Sequence, residues 1–249
     1  MMKMKKLKTI FIFFLLIPTL LFSQTTGQGG IMNSDQNFIN PSNGMANIGG
    51  TSVPTDKNLY EGVKGSPMIF KEFVKGCIIT KDTVNTLEKY TYNFDAYKQE
   101  LHIRYPNGKV KIPYNNQLNG FQLLENGIAH NFKKIKAAGD NDRKFYEIIA
   151  ETPQYSLVKL WVRNFVRANP VERGLYQTGQ RHDEFQESEK YFLKKNEGAY
   201  TELSKLSKSN FIELLPNKKE SIESYWSTHK LSKKISEEEA TKLLKTLDN

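Results

Sequence analysis

Apolar and polar residues alternate with a period of two from Pro67 to about Leu193. The alternation is clearest in three runs, at residues 90–94, 101–105 and 110–114. This pattern is typical of antiparallel strands that bury one face and expose the other. Asn107-Gly108 separates the last two runs, and this pair tolerates the positive φ angles of a tight hairpin turn. The pattern predicts an antiparallel β-domain over residues 58–198.

Further strands are predicted in the second half of this domain. Residues 121–124 and 128–135 flank Asn126-Gly127 and predict another hairpin. Residues 145–150 and 155–166 are apolar on both faces, which is typical of the best-buried strands of a sheet.

A polar stretch interrupts the alternation at residues 169–186. It is rich in turn-forming residues, and a strand is expected to return only at residues 191–193. We therefore expect a long protruding loop, a type of segment that often carries function.

After Gly198 the apolar residues recur with the helical period. A short helix is expected near residues 209–215, and Asn217 with Glu220 and Ser236 with Glu239 have the spacing of capping boxes at two helix starts. Apolar faces are predicted at Ile222, Tyr225, Trp226 and His229, and at Ala240, Leu243, Leu244 and Leu247. The predicted fold class is β-rich α+β: a predominantly antiparallel twisted sheet or open β-barrel of about eight to ten strands, with two or three short helices in residues 199–249 packed on it.

The N-terminus has the pattern of a secretory signal peptide over residues 1–24. Four lysines precede an apolar run at residues 9–22, which is too short to span a ~30 Å hydrocarbon layer comfortably. We expect cleavage and export, with no transmembrane segment after cleavage. Residues 25–57 are dominated by Gly, Asn, Ser, Thr and Gln, which predicts a disordered polar leader.

Cysteine usage and charge narrow the possibilities further. Cys77 is the only cysteine, so an intramolecular disulfide and a lipid anchor directly after the signal peptide are both excluded. Without the four signal-peptide lysines, 32 basic residues remain against 27 acidic ones. These charges are interspersed along the chain, which argues against binding to nucleic acid.

Aromatic and glycine positions recur in residues 60–67 (YEGVKGSP), at Phe73 and Gly76, and in residues 92–97 (YNFDAY). They resemble the β-domain of a family of secreted, uncharacterised proteins from Bacteroidota. The tail is similar to their helical ending, and Phe22-Ser23-Gln24 resembles the signal-peptide ending common in that phylum. The resemblance implies a cell-envelope protein with no assigned activity, so it supplies no catalytic residues.

The densest polar cluster is Arg181-His182-Asp183-Glu184. Adjacent residues point in different directions, and no second histidine lies nearby in sequence to complete a metal or proton-transfer site. We interpret the four residues as a solvated loop that is a weak candidate for partner binding. Cys77 and the other three histidines, His102, His130 and His229, are expected to be packed side chains without catalytic or ligand roles.

No catalytic, metal-binding or cofactor motif is recognisable, so the sequence predicts no cofactor. The favoured hypothesis is a non-catalytic protein of the periplasm or outer-membrane periphery, or an extracellular one, that binds another envelope protein. The alternative is a soluble carrier of lipid or another apolar ligand, held by the aromatic face of the sheet. A third hypothesis is an unrecognised hydrolase whose catalytic groups converge from distant strands.

Overall fold

The computed structural model describes residues 49–53, 60–80, 84–86, 89–173, 176–180 and 182–248. The predicted signal peptide and most of the predicted leader lie outside these residues.

Fourteen strands and three helices make up the described part of the chain. In chain order these are β1 (Gly50–Val53), β2 (Lys75–Ile79), β3 (Val84–Thr86), β4 (Thr91–Asp95), β5 (Glu100–Arg104), β6 (Val110–Pro113), β7 (Gly120–Glu125), β8 (Ile128–Ile135), β9 (Lys144–Glu151), β10 (Tyr155–Val166), β11 (Asn169–Arg173), β12 (Tyr176–Gln180), β13 (Glu184–Lys195), β14 (Thr201–Leu203), α1 (Lys208–Leu214), α2 (Lys219–Thr228) and α3 (Glu237–Asp248).

The strands form two main antiparallel sheets and a two-stranded ribbon. One sheet has the order β1-β6-β5-β4, the other has the order β14-β13-β10-β9-β8-β7-β2-β3, and β11 pairs with β12. Strands account for 45% of the described residues and helices for 20%, and within these residues neither sheet closes into a barrel. The predicted fold class is confirmed, but the predicted strand number is too low. The strands are also divided between sheets rather than joined in one.

Both Asn-Gly hairpins form as predicted. β5 and β6 flank a turn in which Gly108 has a φ of 80°, and β7 and β8 flank Asn126 and Gly127, with φ angles of 49° and 83°. These positive φ angles favour the Asn-Gly pair because glycine lacks Cβ and asparagine tolerates the left-handed region.

Two polar segments differ from their predicted structure. Residues 169–186 do not form one long loop, because β11 and β12 pair as a hairpin and β13 already begins at Glu184. Within the predicted disordered leader, Gly50–Val53 pairs with β6 as β1. In both places the pairing uses backbone groups, which every strand provides without any apolar pattern in its side chains.

One end of the large sheet packs against the smaller sheet. The contact is an aromatic and aliphatic core in which the rings of Phe121 and Phe132 stack with centroids 4.6 Å apart and Phe94 lies 5.2 Å from Phe121. Its largest buried members are Ile78, Tyr92, Phe94, Leu101, Ile103, Phe121, Leu123, Phe132 and Phe145. Cys77 in β2 is also buried, as predicted.

The helices pack on the other end of the large sheet. Leu157 of β10 and Leu193 of β13 belong to this second core, together with the apolar faces of the helices. The predicted α3 face is confirmed, since Ala240, Leu243, Leu244 and Leu247 are all at most 1% exposed. No helix in the described ranges has the length and apolar character needed to cross a membrane.

The predictions for the two helix starts and for His229 agree with the structure only in part. Ser236 caps α3 by accepting a hydrogen bond from the Glu239 amide at 3.2 Å. Asn217 instead lies inside a 3-10 turn, Pro216–Lys218, that precedes α2. His229 is not packed in the core. It is exposed at the end of α2, and its ring stacks on Tyr225 with centroids 4.0 Å apart.

Replacing Leu244 by alanine tests the docking of α3. Leu244 is fully buried in the second core, so Leu244→Ala should lower the free energy of unfolding by about 2–5 kcal/mol. Urea denaturation measures the change. Leu124→Ala is the matched control, because Leu124 is 40% exposed and the same truncation there should cost no more than about 1 kcal/mol. Equal losses in the two variants would contradict this packing.

Candidate functional site

A groove lined by lysines lies beside the helices. We call it the lysine groove, and its volume is about 650 Å³. It is lined by Lys205, Ser207, Lys208, Ser209, Trp226, Leu231, Ser232, Lys233 and Lys234. Four cations and three hydroxyl groups therefore surround one aromatic and one aliphatic side chain.

The groove is formed where two segments distant in sequence meet. The Ile235 amide donates a hydrogen bond to the Leu206 carbonyl at 2.9 Å, and Ser207 pairs with Lys234 through an isolated β-bridge. The Trp226 indole donates to the Ser232 carbonyl at 3.0 Å and so fixes the chain after α2. These contacts bring the two lysine pairs, Lys205 with Lys208 and Lys233 with Lys234, to the same groove.

The lysines of the groove are exposed and have no acidic partner. Within the described part of the chain, none of Lys205, Lys208, Lys233 and Lys234 forms an ion pair with a carboxylate, and no acidic residue lines the groove. Other exposed lysines do have such partners, for example Lys190 with Glu202. The groove therefore has a concentrated positive charge that favours an anionic ligand.

A second polar feature is buried between the two cores. Glu147 of β9 lies 3.1 Å from the ammonium of Lys159 in β10, and both side chains are at most 7% exposed. Glu147 also accepts a hydrogen bond from the Trp161 indole at 2.7 Å and lies 2.6 Å from Nδ1 of His130. Lys159 donates a second hydrogen bond to Glu237, at the start of α3, at 2.9 Å. We call these five residues the buried ion network.

The buried ion network favours the charged forms of its central pair. Burial alone would raise the pKa of Glu147, but the hydrogen bond from His130 and the charge of Lys159 outweigh it and hold that pKa below its ordinary value. Burial likewise opposes the charge of Lys159, while Glu147 and Glu237 raise its pKa above the ordinary value. A pair held in this state suits a structural role better than proton transfer near neutral pH.

The structure describes three of the four residues of the sequence-predicted cluster. Arg181 lies outside the described residues, and His182 is exposed at a bend. The Asp183 carboxylate accepts a hydrogen bond from the Ala168 amide at 2.6 Å, and the Glu184 carboxylate accepts one from the Gln186 side chain. These contacts tie Asp183 and Glu184 to neighbouring backbone and side chain.

Strand pairing gives two of the histidines acidic neighbours. The pairing of β8 with β9 brings His130 to Glu147. His102 joins Asp95 and Glu100 in a group of potential metal ligands. The contact of His130 with Glu147 has no signal in the local sequence, because Glu147 lies on another strand, whereas Glu100 is only two residues from His102. The local sequence also gives no signal for the lysine groove, since residues 209–232 separate its two lysine pairs.

Comparisons of the chain with protein-family models, with curated proteins and with solved structures find no match in any of the three. The resemblance to secreted proteins of Bacteroidota therefore stays a prediction. The fold and its sites define the protein as a β-rich α+β protein with a cationic groove next to its helical tail.

Neutralising Glu147 should destabilise the protein strongly. Glu147→Gln leaves the buried Lys159 with Glu237 as its remaining carboxylate, so we expect a loss of about 3 kcal/mol in the free energy of unfolding. Glu151→Gln is the matched control on the same strand, because its ion pair with Lys133 is half exposed and should contribute no more than about 1 kcal/mol. Similar losses in the two variants would contradict a special role for the buried pair.

The loss caused by Glu147→Gln should also depend on pH. Because the folded-state pKa of Glu147 lies below the ordinary value of 4.5, its contribution is present above that pH and is lost as the pH falls through the folded-state pKa. Urea denaturation of the wild-type protein and the variant should give stabilities that differ at neutral pH and converge on acidification below about pH 4.5. A difference that stays constant down to strongly acidic pH would contradict the assignment.

Proposed function

We propose that this protein is an exported, non-catalytic binding component of the cell envelope, and that its lysine groove binds an acidic segment of another envelope protein. The composition of the groove is the main support for this proposal. Its described lining residues include four exposed lysines and no acidic side chain, and its volume is about 650 Å³. Export rests on the signal-peptide pattern of residues 1–24.

The chemistry of the groove fits an acidic peptide segment that has at least one apolar side chain. Lysine ammonium groups attract carboxylates at long range and steer association, while Trp226 and Leu231 provide an apolar surface for an anchoring side chain. The volume lies within the range of about 300–1,000 Å³ that is typical of ligand sites, which is enough for a few residues of a partner. Affinity would come from the apolar anchor, and selectivity for acidic segments from the lysines.

The carrier hypothesis receives less support from the packing. A lipid-binding sheet face would use its aromatic side chains, but here these pack against one another. Ring centroids lie 4.6 to 6.0 Å apart among Phe94, Phe121, Phe132 and Phe145. They are at most 1% exposed. This apolar face is therefore occupied by the smaller sheet rather than offered to a ligand.

Reversing two groove charges tests the proposal directly. Lys208→Glu with Lys234→Glu places one negative charge on each of the two segments that form the groove, and both side chains are exposed, so the fold should be preserved. The probe is a fluorescent peptide of glutamates around one leucine, with its glutamine analogue as the uncharged reference. Each exposed ion pair contributes about 0.2–1 kcal/mol, so losing two and adding repulsion should weaken binding by about tenfold or more.

The matched control is Lys71→Glu with Lys109→Glu, which makes the same charge change at exposed lysines outside the groove. Fluorescence polarisation should show unchanged affinity for this control and weaker binding at high salt for the wild-type protein. Equal binding by the groove variant and the control, or equal binding of the glutamine peptide, would contradict the proposal.

The natural partner can be sought with the same pair of variants. The tagged protein is recovered from gently solubilised envelopes, and its companions are identified by native mass spectrometry. We expect a stoichiometric protein that is retained by the wild-type protein and the control variant but lost with the groove variant. A chain that instead carries lipid, equally in all three proteins, would favour the carrier hypothesis.

A further inference from the structure

Three potential metal ligands share one face of the β4–β5 hairpin. Asp95 and Glu100 are directly opposite each other in the register, and His102 follows Glu100 by two residues on the same strand. Because side chains on one strand alternate between faces, Asp95, Glu100 and His102 all point away from the core side of Phe94 and Leu101. One ligand atom from each lies within 4.8 Å of the others.

The imidazole of His102 has a buried nitrogen with no hydrogen bond. His102 is 8% exposed, and its Nε2 has no hydrogen-bond partner among the residues that the structure describes; Oε2 of Glu100 is 3.9 Å away. A buried polar atom without a partner costs about 1–3 kcal/mol, so such an atom next to two carboxylates calls for an explanation. A bound cation would supply the missing partner.

The charges on this face of the hairpin also favour a cation. Asp95 and Glu100 are paired directly opposite each other, so two carboxyl groups lie close to the His102 imidazole. Asp95 is itself 2% exposed and accepts one hydrogen bond from the Lys98 amide at its Oδ1, which leaves Oδ2 available.

We propose that Asp95, Glu100 and His102 form a binding site for a divalent transition-metal ion, with Zn²⁺ as the best fit. One imidazole nitrogen with two carboxylate oxygens is a ligand set that zinc accepts, whereas Ca²⁺ and Mg²⁺ prefer oxygen alone. Three protein ligands leave a fourth tetrahedral position for water, and the Glu100 side chain, 32% exposed, gives solvent access to it.

The ligand atoms must move closer together to hold the ion. Tetrahedral ligands at zinc-like distances lie roughly 3.4 Å apart, whereas Glu100 and His102 are 3.9 Å apart and the three ligand atoms lie within 4.8 Å of one another. The partly exposed Glu100 side chain can move toward the other two ligands. The connecting loop is held in place by Gln99, which donates to the Ala96 carbonyl and accepts from the Phe145 amide.

Zinc titration of the purified chain, prepared without a histidine tag, tests the site. Isothermal titration calorimetry with ZnCl₂ near neutral pH should give one ion per chain. Glu100→Gln and His102→Gln should each weaken binding by at least about tenfold, because the loss of even an outer-shell partner typically costs 10–100-fold. With Co²⁺ as the probe, the visible absorption of a low-symmetry site should appear in the wild-type protein and be absent in both variants.

The matched control is His182→Gln with Glu184→Gln, which removes a histidine and a carboxylate at the cluster that the sequence singled out. This control should bind Zn²⁺ as the wild-type protein does. If His102→Gln fails to fold, Glu100→Gln decides the matter, because Glu100 is partly exposed. Absence of binding at millimolar Zn²⁺, binding that survives Glu100→Gln unchanged, or binding that is lost in the control would each overturn the proposal. The acidic-peptide test of the lysine groove is independent of either result.

Discussion

The buried contact between Glu147 and Lys159 joins the parts of this fold. Removing two such charges from water costs several kcal/mol each, and their mutual attraction offsets this only when the remaining polar atoms are also satisfied. Here His130 and Trp161 complete the shell of Glu147, and Glu237 at the start of α3 is the second carboxylate of Lys159. Trp161 also packs against the first core and α3 belongs to the second, so the buried ion network links both.

The position of the lysine groove follows from this arrangement. α3 is held to the sheet by its apolar face and by the hydrogen bond between Glu237 and Lys159. The chain that leads into α3 from α2 must therefore pass beside the start of α1, where Ile235 and Lys234 pair with Leu206 and Ser207. The proposed binding surface is thus a consequence of how the helices dock, and the proposed metal site on the β4–β5 hairpin lies on a different sheet.

Prediction from sequence succeeded where neighbouring residues carry the structural signal. Asn126-Gly127 specifies its hairpin because the turn needs positive φ angles, and Leu243 with Leu244 specifies the buried face of α3 because burial follows the helical period. It failed for β11 and β12, because backbone groups make their pairing and the polar sequence shows no alternating apolar pattern. It also gave no signal for the contact between His130 and Glu147, because Glu147 lies on a different strand, β9.

The sequence by itself determined the β-rich α+β class, the hairpin turns and the apolar faces of the helices, because these depend on residues within a few positions of each other. Only the tertiary structure decided which charges meet. Strand register and helix docking bring Lys159 to Glu237, and they bring Lys208 and Lys234 to one groove. Coulomb interactions depend on distance in space, and nothing in the local pattern of a chain encodes the distance between residues on separate elements.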